Sequence, residues 1–129
     1  HARFGWASAR ADDLANLLPS RLTALLAAGC APLVGGRPQA AVRAWRRDGQ
    51  QHPSPNAGPV EAAFAGALGR TLGGRLSYAG RVEDRPLLGD GPAPGVADIA
   101  RAARLSAAVT VGAGLVTVGG RVLLDRVRG

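Results

Sequence analysis

The chain has 129 residues, a formal net charge of +7 and 47% hydrophobic residues. Its 16 basic residues are all arginine, which excludes a Walker-type phosphate loop, built around a lysine, and Schiff-base chemistry on lysine. The charge is spread as +1 over 1–21, +4 over 37–104 and +2 over 121–129, with five aromatic residues in all, so no basic stripe or stacking platform for nucleic acid is present.

The chain begins at His1 and contains no methionine. It therefore reads as a processed chain or a piece of a longer one, and the piece is the expectation because nothing near His1 resembles the exit of a signal peptide. Phe4-Gly5-Trp6 supplies aromatics suited to a headgroup boundary. A helix is expected from about Ala7, with Leu14, Leu17 and Leu18 on one face and a kink or restart at Pro19. Asp12 and Asn16 share a face at i, i+4 spacing, so with Asp13 they are candidates to hold a Mg²⁺ that keeps most of its waters. The plainer alternative is that two acids stabilise an early helical turn beside Arg10.

Leu22 to Gly36 carries no charge over 15 residues. As a helix it spans about 22 Å, short of a hydrocarbon core of about 30 Å unless Arg21 and Arg37 snorkel. Cys30 lies inside this run, where a lone cysteine forms neither a disulfide nor a thiolate zinc site and fills apolar packing. Pro38 to Asp48 is expected as a helix with Pro38 in its first turn. Ala41, Val42 and Trp45 fall on one side, Arg43 and Arg47 face away, and Arg46 sits at the edge. That pattern fits an interfacial helix or an amphipathic helix on a protein core.

His52-Pro53-Ser54-Pro55-Asn56-Ala57-Gly58 follows, then the alanine-rich Glu61 to Gly69. Two prolines at alternate positions fix φ and remove donors, giving a stiff extended turn. It carries an imidazole, a hydroxyl and an amide to the start of a helix, a place suited to an anion. His52 is a candidate proton carrier or donor, Ser54 and Asn56 candidate donors, and Glu61 a base or cation ligand. The competing account needs no chemistry: Gly58 as N-cap, Pro59 at N1 and Glu61 at N3, with Ser54 and Asn56 closing the turn.

From Gly73 to Gly95 the sequence is rich in glycine and proline and reads as loop, within which Tyr78 and Gly80 are candidates for ligand contact. A helix resumes at about Val96 and runs into a second uncharged stretch, Leu105 to Gly120, 16 residues long. Its Val109-Thr110-Val111 and Val116-Thr117-Val118 segments also suit a hairpin. A lone hairpin in a membrane leaves its edges unsatisfied, so a helix is the expectation. No internal repeat or linker appears, and one domain unit over 1–129 is expected.

FGWASARADDLANLLPSRLTAL (4–25) and AWRRDGQQHPSPNAGPVEAAFAGALGRTLGG (44–74) resemble signatures of the CobD/CbiB cobalamin-biosynthesis family. The spacing through Tyr78, Gly80 and 86–89 and the last apolar run also fit. The resemblance covers essentially the whole chain. It implies an all-α, multi-pass protein of the inner membrane, with two short apolar segments, 22–36 and 105–120, and a motif-bearing, Gly/Pro-rich central region, 37–104. The implied reaction is ATP-dependent amide ligation of aminopropanol, or its phosphate, to the propionate of adenosylcobyric acid. ATP and Mg²⁺ are the implied co-substrate and ion.

His52 and Glu61 fall on the family's motif positions as catalytic candidates. Ser54, Asn56, Gly58, Tyr78, Asp12, Asp13 and Asn16 are the substrate-binding candidates. The implied partners are the corrinoid acid, the amine, membrane lipid and the N-terminal half of the same protein. The family's upstream Glu-Asn, Ser-Asp-Gly and Asn-Thr-Leu-Asp-Ser motifs do not occur in this sequence, so the chain corresponds to the C-terminal part and is expected to be inactive alone. The alternative is a non-catalytic membrane subunit or scaffold, and a third reading is a small basic soluble protein that binds nucleic acid. Four arginines follow the first apolar run against two before it, which favours a cytoplasmic centre. ATP and corrinoid are cytoplasmic too, so the His52 loop is expected on that side.

Overall fold

The computed structural model describes residues 2–129, the side chains of 2–4 and of Tyr78 excepted. The order of elements is α1 (Ala2–Ala15), α2 (Leu17–Cys30) continued by a 3₁₀ turn (Ala31–Val34), α3 (Pro38–Asp48), α4 (Ala57–Leu68), β1 (Leu72–Tyr78), β2 (Arg81–Leu88) and α5 (Val96–Arg128). The helical expectations for 38–48 and from 96 onward match these elements. α1 starts ahead of the expected Ala7, and the restart comes at Asn16, with Pro19 placed in the first turn of α2, where its missing N–H costs no helical bond.

α2, α3 and α4 pack as one bundle. Its centre is mostly alanine: Ala24, Ala27, Ala28, Ala31, Ala41, Ala63 and Ala67, closed by Leu105 and Val109 of α5. Such small side chains let the backbones approach, and Gly66 marks one close crossing of α3 and α4. A Cβ on Gly66 would lie 2.4 Å from the Ala40 carbonyl oxygen and 2.7 Å from the Ala41 Cα. α3 runs antiparallel to α4: Gly36 meets Ala67 at one end, and Gly49 meets Pro59 at the other.

α5 is one continuous helix, so the hairpin alternative for Val109 to Val118 is excluded. Asp98 fixes its start by accepting from the Gly95 N–H (2.9 Å), Arg70 Nε (2.6 Å) and Arg101 Nη1 (2.7 Å). Arg101 in turn donates to the Val34 carbonyl from Nε (3.1 Å) and Nη2 (2.7 Å), which ties the start of α5 to the end of α2. From Gly114 onward every residue of α5 is exposed.

The expected loop over 73–95 is corrected in its first half. β1 and β2 form an antiparallel hairpin paired from Tyr78↔Arg81 to Leu72↔Leu88, so the fold is mainly helical rather than all-α. Its two-residue tip, Ala79-Gly80, has φ of +48° and +78°, the backbone of a type I′ turn that matches the twist of flanking strands. Gly73 and Pro86, which read as breakers, sit together at the irregularity between Leu72 and Gly74. A bulge accepts both, because a residue left out of the ladder needs no N–H.

Two helical segments are long and apolar enough to cross a membrane, Leu17–Val34 (mean hydropathy 1.5) and an 18-residue stretch of Val96–Arg128 (mean hydropathy 1.7). α5 contains the whole uncharged run 105–120, and the first segment holds the run 22–36 as far as Val34.

Candidate functional site

The stiff turn after α3 folds back on the start of α4. The Ser54 N–H donates to His52 Nδ1 (3.0 Å). Because Nδ1 is an acceptor, the neutral ring carries its proton on Nε2. That atom lies 3.7 Å from Glu61 Oε2, with the His52 side chain 13% exposed and the Glu61 side chain 42% exposed. The structure therefore brings the two catalytic candidates together, with Nε2 of the largely buried His52 ring facing Glu61.

Ser54 Oγ accepts from the N–H groups of Asn56 (3.4 Å) and Ala57 (3.2 Å), so the serine caps α4. This corrects the expected helix start. α4 begins at Ala57, Pro59 falls third in its first turn, and Glu61 is beyond capping reach. A Glu61 held in a capping box would not be available to His52; here it faces the imidazole. Gly58 is a packing position: a Cβ there would lie 2.1 Å from the Gly49 carbonyl oxygen and 2.8 Å from the His52 Cβ.

Asn56 joins the two sequence motifs. Its Oδ1 accepts from Ser20 Oγ (3.0 Å) and Arg21 Nη1 (3.1 Å), and its Nδ2 donates to the Asp13 carbonyl (2.9 Å). Arg21 Nη1 also donates to the Pro55 carbonyl (3.0 Å). Asp13 thus enters through its backbone. Asn16 Nδ2 donates to Asp12 Oδ1 (3.1 Å) and to the Asp12 carbonyl (3.0 Å), on the exposed side of the α1–α2 joint. Among the described residues no group of three or more His, Cys, Asp or Glu is placed to hold a metal ion. Tyr78 lies in β1 with its side chain outside the described set, and Gly80 is at the exposed tip of the hairpin.

A cleft of about 480 Å³ opens at this corner. It is lined by His52, Pro53, Pro55 and Pro59 together with Arg21, Trp45, Arg46 and Gln50 among others. Sequence reading missed Arg21 and Arg46 as site residues. No charge pattern singles them out, since most other arginines among the described residues also make no ion pair; they come together only through the fold. Arg47, Arg70, Arg85, Arg101 and Arg121 each meet a carboxylate, whereas neither Arg21 nor Arg46 has a carboxylate partner among the described residues. Two guanidinium groups without a carboxylate partner and an imidazole therefore line one cleft, an arrangement whose chemistry suits an anion.

Asp48, the last residue of α3, is fixed away from the cleft. Arg47 grips its carboxylate through Nε and Nη2, each at 2.6 Å, and the Gly89 N–H donates to Oδ2 (2.8 Å). The Arg47 bonds above all, helped by the Gly89 N–H and opposed by burial, hold the Asp48 carboxyl below the usual carboxylate range. Asp48 is therefore committed to structure. It clamps the base of the hairpin to the helix that leads into His52.

The sequence profile described as CobD/Cbib protein matches residues 1–106. The chain is 58% identical over 118 residues to the cobalamin biosynthesis protein CobD of Mycobacterium tuberculosis, covering 92% of this chain and 38% of that protein. Against the CobD of Chromobacterium violaceum it is 50% identical over 105 residues, covering 81% of this chain and 32% of the relative. Against that of Rhodobacter capsulatus it is 46% identical over 123 residues, covering 92% and 38%. The chain thus spans between about a third and two fifths of the length of these curated relatives. No solved structure matches it.

Proposed function

The chain belongs to the CobD/CbiB family, whose named relatives serve cobalamin biosynthesis, and on that premise we propose that its His52 cleft is the anion-binding part of an amide ligase. The proposed reaction joins aminopropanol, or aminopropanol phosphate, to the propionate of adenosylcobyric acid at the expense of ATP. In it the propionate oxygen attacks the γ-phosphorus and releases ADP. The amine nitrogen then attacks the acyl carbon, loses a proton and expels inorganic phosphate. Both steps gather negative charge on oxygen and need fixed donors.

The observation that carries the reading is the meeting of Arg21, Arg46 and His52 at one cleft without a carboxylate to neutralise the arginines. The arginines screen phosphate, and His52 donates to an acyl or phosphoryl oxygen. Glu61, beside the imidazole, takes the proton that the amine sheds. Ser54, Gly58 and Asn56 set the geometry by capping, packing and bonding. No step runs through Mg²⁺: Asp12 and Asp13 are successive on a helix and point apart, and Asp12 already accepts the Asn16 amide. The protein resides in the cell membrane with the His52 corner towards the cytoplasm, where nucleotide and corrinoid are found.

The test uses the complete protein, with adenosylcobyric acid, ATP and aminopropanol phosphate as substrates. His52→Ala and Arg46→Gln are expected to lose most of the product while the protein stays folded. Near-normal product from both variants overturns the assignment and leaves the corner as a docking feature. The 129 residues alone are expected to give no turnover.

A further inference from the structure

The two apolar helices and a strongly basic one run side by side, with α2 between the other two. α5 runs back along α2: Arg101 holds the Val34 carbonyl, and Gly112 faces the Leu26 side chain, 3.1 Å from where its Cβ would be. α3 also runs back along α2, from Pro38 beside its end to Arg46, which shares the His52 cleft with Arg21 near its start. Arg43, Arg46 and Arg47 therefore fall between the two ends of the Leu17–Val34 segment. α3 and α5 do not touch among the described residues, and α2 contacts both.

The two outer surfaces are opposite in kind. α5 turns out Val111 (63% exposed), Leu115 (70%) and Val118 (64%), in an uncharged run ended by Arg104 and Arg121. Such a run, with arginines at both ends to reach phosphate headgroups, suits hydrocarbon. α3 turns out an open groove of about 760 Å³, lined by Gln39, Val42, Arg43, Arg46 and Arg47. Arginine is among the costliest residues to expose to lipid at mid-depth. We infer that the unit meets the membrane on one side only: acyl chains cover α5, and the arginine groove of α3, behind α2, faces water. Because Arg46 lines both the groove and the His52 cleft, the hydrated side is the approach for an anionic ligand.

This inference rests on the membrane part of the proposed function and not on the ligand chosen for the cleft. The test places single cysteines in a Cys30→Ser background of the full chain, in phosphatidylethanolamine–phosphatidylglycerol vesicles. Leu115→Cys and Val118→Cys report on α5, Arg43→Cys and Gln39→Cys on the groove. The expected result is that bimane on 115 and 118 loses most of its fluorescence to a nitroxide on the acyl chains, while 39 and 43 keep theirs and react with a charged maleimide from water.

Quenching on both sides overturns the one-sided arrangement but keeps the membrane placement. Reaction with the maleimide at all four positions removes the membrane placement itself. Protection from both reagents at 115 and 118, or at 39 and 43, means that protein covers that face and likewise overturns the inference.

Discussion

The His52 corner and the base of the hairpin are both built from arginines and turns, and they differ in how charge is closed. At the hairpin base Asp48 and Asp98 absorb Arg47, Arg70 and Arg101, and their oxygens also accept the Gly89 and Gly95 N–H groups. At the corner, Arg21 and Arg46 converge without a carboxylate, and the fixing is left to neutral groups, the Asn56 amide and the Ser54 hydroxyl. Closed charge holds elements together; open charge, held at Arg21 by the Asn56 amide, is available to a ligand. Substitutions should therefore cost stability at the first region and affinity at the second.

The largest effect is expected at Asp98. Its side chain is 5% exposed between two arginines, and removing it leaves both guanidinium groups and the Gly95 N–H without their acceptor. Asp98→Ala is therefore expected to lower the unfolding midpoint in detergent more than any corner variant. A smaller loss would break the comparison. Next comes Gly66→Ala, where the new methyl meets the Ala40 carbonyl and Ala41 backbone. Overpacking of this kind costs about 1–3 kcal/mol, read in the same melt.

Asn56→Ala sharpens the contrast, because it removes the acceptor for Ser20 and Arg21 and the donor to Asp13. Unmet buried partners cost about 1–3 kcal/mol, and Arg21 is freed as well, so both stability and anion affinity are expected to fall. Arg46→Gln is expected to leave the midpoint within about 0.5 kcal/mol of wild type while weakening the anion. The smallest effect is acid sensitivity at Asp48. Its folded carboxyl sits below the ordinary value, so its contribution is complete above about pH 4 and drains away as the pH falls further. Asp48→Asn is expected to flatten the acid limb of a pH–stability curve.

Much of this was readable in the sequence, for physical reasons that are local. α3 announces itself by Pro38, by Ala41 and Trp45 on one side, and by arginines on the other. The HPSPN turn is stiff wherever it occurs. The hairpin was not readable, because Gly73, Gly74 and Pro86 look like breakers until the bulge that accommodates them is seen, and Ala79 at positive φ is an uncommon tip residue. The true start of α4 was hidden because Ser54, two residues before the N-cap position, does the capping. Arg21 and Arg46 were invisible as a pair: 25 residues apart in sequence, they meet only because α3 folds back along α2.

The central claim is that open charge at the His52 corner holds an anion. Isothermal titration of inorganic pyrophosphate into the detergent-solubilised chain, for wild type and Arg46→Gln, tests it directly. Loss of one charge-assisted bond, worth about 1.5–3 kcal/mol, predicts affinity at least about tenfold weaker in Arg46→Gln with an unchanged melting midpoint. Equal affinity in the two proteins would contradict it.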